Sequence, residues 1–417
     1  MTFNFWPERA LAASVIMLSC STALAGDAAE DGAPGWNLSG FATLAAAHSN
    51  NHQADFTANA LSPGDAGYSR AWSAQVDSRL GAQLDLRFDS RWSAVLQMVA
   101  ERGPRDGYSP VLEWANLQYQ ATPDLSLRVG RITLPLFISG DYRKAGYALP
   151  WVRPPVEMYG AVPLSSSDGA DASYRWQGGG MHHVTQVFFG CTTIPASRTA
   201  RARAHALTGL SNTATSGALT LRASLLRAHL SVDIGRELFD GLRGFGAQGG
   251  ALADRYELEH KHALVAAAGF SYDPGRWFAI GEIGRLNTAS FLGDKTVGYL
   301  SAGYRYRDLT PYLVYSSSRA NVATRVAGLE LDRLPAQQVA AGASLNAGLN
   351  QLLAAIPRQH TVSAGVRWDL RPDYALKLQY DRIMPHQGSN GTFINVQPGF
   401  RSGQPVAVLS VALDMVF

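Results

Sequence analysis

Polar and apolar residues take turns along much of this chain, most sharply from Gln75 to Phe88. Odd positions there (Gln75, Asp77, Arg79, Gln83, Asp85 and Arg87) are polar. Even ones (Val76, Leu80, Ala82, Leu84, Leu86 and Phe88) are apolar, with Ser78 the exception. A period of two belongs to a strand with one wet face and one apolar face. Asp89-Ser90-Arg91 reads as a tight turn. After it Trp92, Ala94, Leu96, Met98 and Ala100 face one way, and Ser93, Gln97 and Glu101 the other.

The unit recurs. A first strand is read over 36–48, and further ones near 111–121, 125–133, 168–177, 181–190, 205–212, 217–230, 260–272, 277–287, 296–306, 311–319, 360–370, 374–383 and 405–417, about sixteen in all. Short turns are expected at 122–124, 178–180, 273–276, 307–310 and 371–373. Longer loops alternate with them at 49–70, 103–110, 132–167, 191–204, 231–259, 288–295, 320–359 and 384–404. One tight rim and one elaborate rim is the asymmetry of a membrane β-barrel. Within one long loop, Leu345, Leu349, Leu352, Leu353 and Ile356 keep helical spacing up to Pro357. That predicts a helix over 341–356 packing down onto the outer rim.

Soluble sandwiches also alternate, and the placement of aromatic rings separates the two. Phe88 and Trp92 flank one short turn, Tyr272 and Trp277 another, Tyr306 and Tyr312 a third, Trp368 and Tyr374 a fourth. Rings held at one height on the apolar face form the interfacial girdle of a bilayer protein. Backbone groups in hydrocarbon find no water, so every strand must be paired and the sheet must close. In the last strand Leu409, Val411, Leu413, Met415 and Phe417 alternate with Ser410, Ala412 and Asp414. The expected fold is therefore all-β, a closed antiparallel transmembrane β-barrel of about sixteen strands over residues 36–417.

One stretch, 132–168, breaks the rhythm. Pro135, Pro150, Pro154, Pro155 and Pro163 exclude a central strand or a continuous helix. Asp141, Arg143, Lys144, Arg153 and Glu157 sit among Phe137, Tyr142, Tyr147, Trp151 and Tyr159. So long a loop with so many aromatics is expected to be functional rather than disordered. The reading is that it folds into the barrel and narrows the hole.

Composition adds the compartment. The 417 residues carry a net charge of +3, with 46% hydrophobic and 17% charged residues, and no apolar run beyond the N-terminus could span as a helix. Arg9, the apolar run 10–18 and Ala23-Leu24-Ala25 read as an export signal over 1–25, followed by a polar lead-in over 26–35. Cleavage would leave Cys191 alone, with no internal disulfide to lean on. The small net charge and the lack of any nucleic-acid motif speak against a nucleic-acid partner.

No nucleophile, base and orienting acid come together in the sequence, so no catalytic residues and no cofactor are expected. His182-His183 beside a short turn and His260 with His262 on one strand face read as rim polarity. A His-x-His metal site is the alternative for the second pair.

The strand at Gln75–Phe88 with Asp89-Ser90-Arg91-Trp92, the segment holding Arg153-Pro154-Pro155, and the terminal Phe417 together resemble Gram-negative general porins. The resemblance covers 36–417. It implies sixteen strands, a homotrimer in the outer membrane, passage of small hydrophilic solutes and ions, and a third external loop folded inward as a constriction. By strand count, 132–168 is that third loop. Alternation puts Arg79, Arg87, Arg128, Arg175, Arg222, Arg305, Arg367 and Lys377 on the wet face, with Asp77, Asp85, Asp171, Asp369 and Asp381. Opposed charges across a water-filled neck would create a transverse field that favours polar solutes. Arg79 and Arg128 are expected to face Asp141 and Glu157, with Arg143, Lys144 and Arg153 tuning the sign. Arg131 falls on the lipid-facing parity, where a midplane arginine costs about 2–4 kcal/mol, so a bulge or a subunit interface is expected there. Arg227 has the same parity near the outer rim. A substrate-specific channel of the same fold, and a barrel enzyme or adhesin, are the alternatives weighed.

Overall fold

The computed structural model describes residues 34–417 apart from 62, 105 and 106. The export signal, and the lead-in as far as residue 33, lie outside the described residues.

Sixteen strands form the wall: β1 (Gly35–Ser49), β2 (Arg79–Arg87), β3 (Trp92–Glu101), β4 (Val111–Gln120), β5 (Leu125–Thr133), β6 (Ser166–Gly178), β7 (Met181–Pro195), β8 (Arg201–Ser216), β9 (Leu219–Val232), β10 (Lys261–Tyr272), β11 (Trp277–Asn287), β12 (Lys295–Tyr304), β13 (Leu309–Ala320), β14 (Gln359–Arg371), β15 (Tyr374–Pro385) and β16 (Val406–Val416). Each pairs antiparallel with its neighbours in sequence. β1 pairs with both β2 and β16, Phe41 opposite Gly81 on one side and Val416 on the other, so the sheet closes. Gly40 and Phe417 exchange two backbone hydrogen bonds, of 2.8 and 3.0 Å, at the seam. A two-residue piece, Trp72–Ser73, adds to the far end of β1.

Connections alternate as the sequence predicts. After β6 the chain turns on Gly179 and Gly180 at φ 59° and 76°, left-handed conformations that glycine adopts without a Cβ clash. The expected strands 205–212 and 181–190 are longer in the structure. β8 begins at Arg201 and β7 runs to Pro195, because their outer ends pair (Thr192 opposite Ala204, Ile194 opposite Ala202) where apolar alternation has faded.

The two faces of the wall differ. Leu44, Phe189 and Ile283 are each 60% exposed and Leu313 62%, on the same face as Trp36, Trp92, Trp176, Trp277 and Trp368. An exposed apolar surface on this scale suits hydrocarbon, not water. Rings pair across the short-turn rim, Trp92 with Tyr119 at 4.7 Å and Tyr272 with Trp277 at 5.2 Å. The opposite face is buried. There Phe188, Leu226, Val265, Phe278, Tyr299 and Tyr312 of β7–β13 pack with Leu134, Phe137, Trp151, Met158 and Tyr159.

Helices sit in the long loops. α1 (Val156–Tyr159) is a single turn, while α2 (Arg236–Arg243), α3 (Gly246–Tyr256) and α4 (Ala336–Ala354) share an apolar core of Phe239, Leu242, Tyr256, Leu349 and Leu353. α4 is the helix predicted over 341–356, begun five residues earlier at Ala336 behind Pro335.

Candidate functional site

The site is built by residues 134–165 and the buried face of the wall. The backbone hydrogen bond from Leu134 to Ser165, 3.0 Å, holds the two ends of the segment together. Its prolines forbid regular structure, so it advances in turns: 3-10 turns at Gly140–Tyr142 and Gly146–Ala148, then α1 behind Pro155. The polar groups of such a path must find partners elsewhere, since buried backbone donors and acceptors are costly to leave alone.

They find them on one side of the barrel. The carbonyls of Leu136 and Phe137 accept from Ser224 (2.7 Å) and Arg222 (2.9 Å) on β9. The Ile138 N–H donates to Glu282 on β11 at 2.8 Å, and Tyr159 donates to the same carboxylate at 2.5 Å. Lys377 on β15 donates to the carbonyls of Gly146 (2.7 Å) and Trp151 (2.9 Å) while pairing with Asp414 at 2.8 Å. Gly146 is required there: a Cβ would lie 2.2 Å from Asp414 Oδ1 and 2.6 Å from Thr43 Oγ1. Arg367 bonds the carbonyls of Tyr147 and Leu149 and lies 4.7 Å above the Tyr147 ring.

Arg153 is the strongest tie. Its guanidinium donates to Asp77 at 2.9 and 2.6 Å, to Asp381 at 2.9 Å and to Ser410 Oγ at 2.5 Å, and it lies 5.1 Å from the Phe56 ring centre. Glu157 accepts from Ser316 and Gln359 at 2.6 Å each, and from Thr361. Only about 20 Å³ of free volume remains between these groups.

The other side of the barrel is polar and less covered. Lys144 reaches Glu101 (2.7 Å) and Glu113 (2.8 Å) on β3 and β4. Arg79 stands 3.8 Å from Glu101. Arg128 pairs with Asp171 at 2.7 Å, and Gln186 donates to the same carboxylate at 3.0 Å. Gln97 donates to Gln83, which donates to Asp85. Asp141 is exposed, and Arg143 donates to the carbonyls of Val162 and Pro163.

All the expected wall residues lie on the face opposite the rings, but they divide by role. Asp77, Arg222, Arg367 and Lys377 hold the segment rather than line open space. Arg305 pairs with Asp273 at 2.6 Å, and Arg175 reaches the Pro123 carbonyl at 3.4 Å, both at the short-turn rim, where Arg87 is exposed. Glu157 does not stand across from Arg79 or Arg128; neutral donors of β13 and β14 enclose it on the far wall. No bulge re-aims Arg131. Asp168, its cross-strand partner on the same outward face, meets it with two hydrogen bonds of 2.7 Å, and the register through this pair is unbroken. Glu113, unassigned from sequence, joins the site because a bulge between Gln97 and Met98 shifts the parity of β4.

Of the histidines, His183 stacks on Trp176 at 3.9 Å, and His262 lies 4.4 Å from His229. Among the described residues no three His, Cys, Asp or Glu side chains are grouped to hold a metal ion.

A closed sixteen-stranded antiparallel wall, apolar on its outer face, is the fold of Gram-negative outer-membrane porins. Solved structures bear out that likeness. The outer membrane channel DcaP of Acinetobacter baumannii matches 94% of this chain and 100% of its own at 11% identity, with a TM-score of 0.55. OmpT, an outer membrane protein of Vibrio cholerae, matches 94% and 99% at 10% identity (TM-score 0.51). OprB of Pseudomonas putida matches 92% and 94% at 11% identity (TM-score 0.51). No family model matches the chain, and no curated protein matches its sequence.

Proposed function

We propose that this protein is an outer-membrane porin: a passive diffusion channel for small hydrophilic solutes and ions, exported by residues 1–25 and working as a homotrimer. In this reading residues 134–165 run through the lumen and fill the half bounded by β9–β16. The carrying observation is the asymmetry of their contacts. One side of the segment is bonded and dry, whereas the Asp141–Lys144 side faces the polar wall of β2–β7. Passage lies there, along Arg79, Arg128 and Asp171 and beside the Lys144 bridge to Glu101 and Glu113, which ties the segment to this wall. Charges of both signs across a narrow wet gap orient dipolar solutes and resist apolar ones.

Planar-bilayer recording tests this. Stepwise openings with an ohmic current are expected, and a silent bilayer containing folded barrel refutes the proposal. Saturable block by one solute class would move the assignment to a substrate-specific channel.

A further inference from the structure

The outward face of β8–β15 carries a second pattern that diffusion does not use. Arg227 on β9, Arg285 on β11, Arg319 on β13 and Arg382 on β15 are all exposed at outward positions. These four strands run from the short-turn rim toward the long loops, so the four guanidinium groups share one end of the barrel. Each follows an exposed apolar residue of the same strand: Leu225, Ile283, Tyr315 and Tyr380, at 47–60% exposure. The arc therefore begins where the apolar belt stops.

Nothing among the described residues neutralises it. None of the four has an ion pair or hydrogen bond among the described residues, and β8–β15 carry no carboxylate at an outward position. Arg131 on β5 is the contrast, tied to Asp168. Arg285 and Arg319 flank the same residue, Thr296, so two strand spacings, roughly 10 Å, separate their backbones. Like charges so placed repel unless an anion from outside lies between them.

We propose that this arc binds the phosphate groups of outer-leaflet lipid headgroups, with Arg285 and Arg319 sharing one headgroup and Arg382 and Arg227 extending the surface. Guanidinium suits the task, because its planar fork donates two parallel hydrogen bonds to a phosphate. Depth suits it too, since a cation just beyond the hydrocarbon belt lies among headgroups. The inference rests on the membrane reading above.

The test uses the full mature chain folded in neutral detergent and in vesicles, with phosphatidic acid as probe and phosphatidylcholine as the neutral comparison. Native mass spectrometry and a fluorescent phosphatidic acid titration read binding. Wild type should retain the anionic lipid selectively, and the triple variant Arg285→Gln, Arg319→Gln, Arg382→Gln should bind it about 100-fold more weakly. A variant of the opposite rim, Arg91→Gln, Arg276→Gln, Arg307→Gln, should match wild type. Equal lipid affinity in the triple variant overturns the inference. So does complete displacement of lipid by an equal concentration of inorganic phosphate, which would mark a free-anion site. A chain that conducts normally yet shows no lipid selectivity sinks this inference alone, whereas one that never inserts sinks the porin reading.

Discussion

Replacing Arg153 with methionine is the most direct test of how residues 134–165 are held. The guanidinium spans three parts of the wall: Asp77 before β2, Asp381 on β15 and Ser410 on β16. The side chains of Arg153, Asp77 and Asp381 are only 2%, 1% and 6% exposed. Methionine fills much of the same volume but leaves two carboxylates in a nearly dry site with no cation. Removing one partner of a buried ion pair costs about 3–5 kcal/mol, most of it the stranded charge. The loss should appear as reduced unfolding free energy of the barrel in lipid vesicles. Adding Asp77→Asn and Asp381→Asn to the methionine variant should return more than half of it, because the stranded charges are then gone. Freed near residue 153, the segment should also make the open-channel current noisier and its mean larger. A change under about 1 kcal/mol, together with unchanged current noise, would refute the account of Arg153 as the principal anchor.

Four further outcomes follow from the geometry. Lys144→Glu places a third carboxylate beside Glu101 and Glu113, and the reversal potential under a salt gradient should move toward cation preference. Glu157→Gln should leave that potential unchanged while costing about 1–3 kcal/mol, since the carboxylate is bonded to Ser316, Gln359 and Thr361 rather than to the passage. Leu313→Lys, on the outer face of β13 six residues before Arg319, should cost about 2–4 kcal/mol in vesicles, against a small effect for Leu313→Ala. For Lys144, burial pulls the ammonium down, but Glu101 and Glu113 outweigh it and hold it above the ordinary lysine value. A raised folded value means the stabilisation is complete below the unfolded value of about 10.4 and fades as pH climbs through the folded one. The penalty of Lys144→Met should therefore stay constant from neutral pH to about 9 and shrink in stronger alkali.

The strands and their order were legible because period-two alternation and turn residues are local signals. β2 shows the pattern most sharply since its inner side is polar and its outer side apolar. β10 hides it, being apolar on both faces: Val265 and Ala267 pack inward against the buried cluster while Leu264 points out. Two apolar faces on adjacent strands were the available sign that something dry lies against the inside there. α2 and α3 fall within the loop expected over 231–259, because Gly244, Gly246, Gly249 and Gly250 lower helix propensity and packing on α4 overrides it. The composition of 132–168 marked it as special, but its partners were out of reach of any window. Arg153 meets residues 76, 228 and 257 positions away. Asp168 answers Arg131 through register, which parity along one strand cannot reveal.

The join between β1 and β16 has a consequence for the order of assembly. Thr43 donates to Asp414 across 371 positions of sequence, and Lys377 completes the bolt. A sheet built up from β1 thus keeps two unsatisfied margins, which only the final strand can zip. Such a sheet must be shielded from other sheets until then, and the long-range closure makes the last step slow compared with hairpin formation.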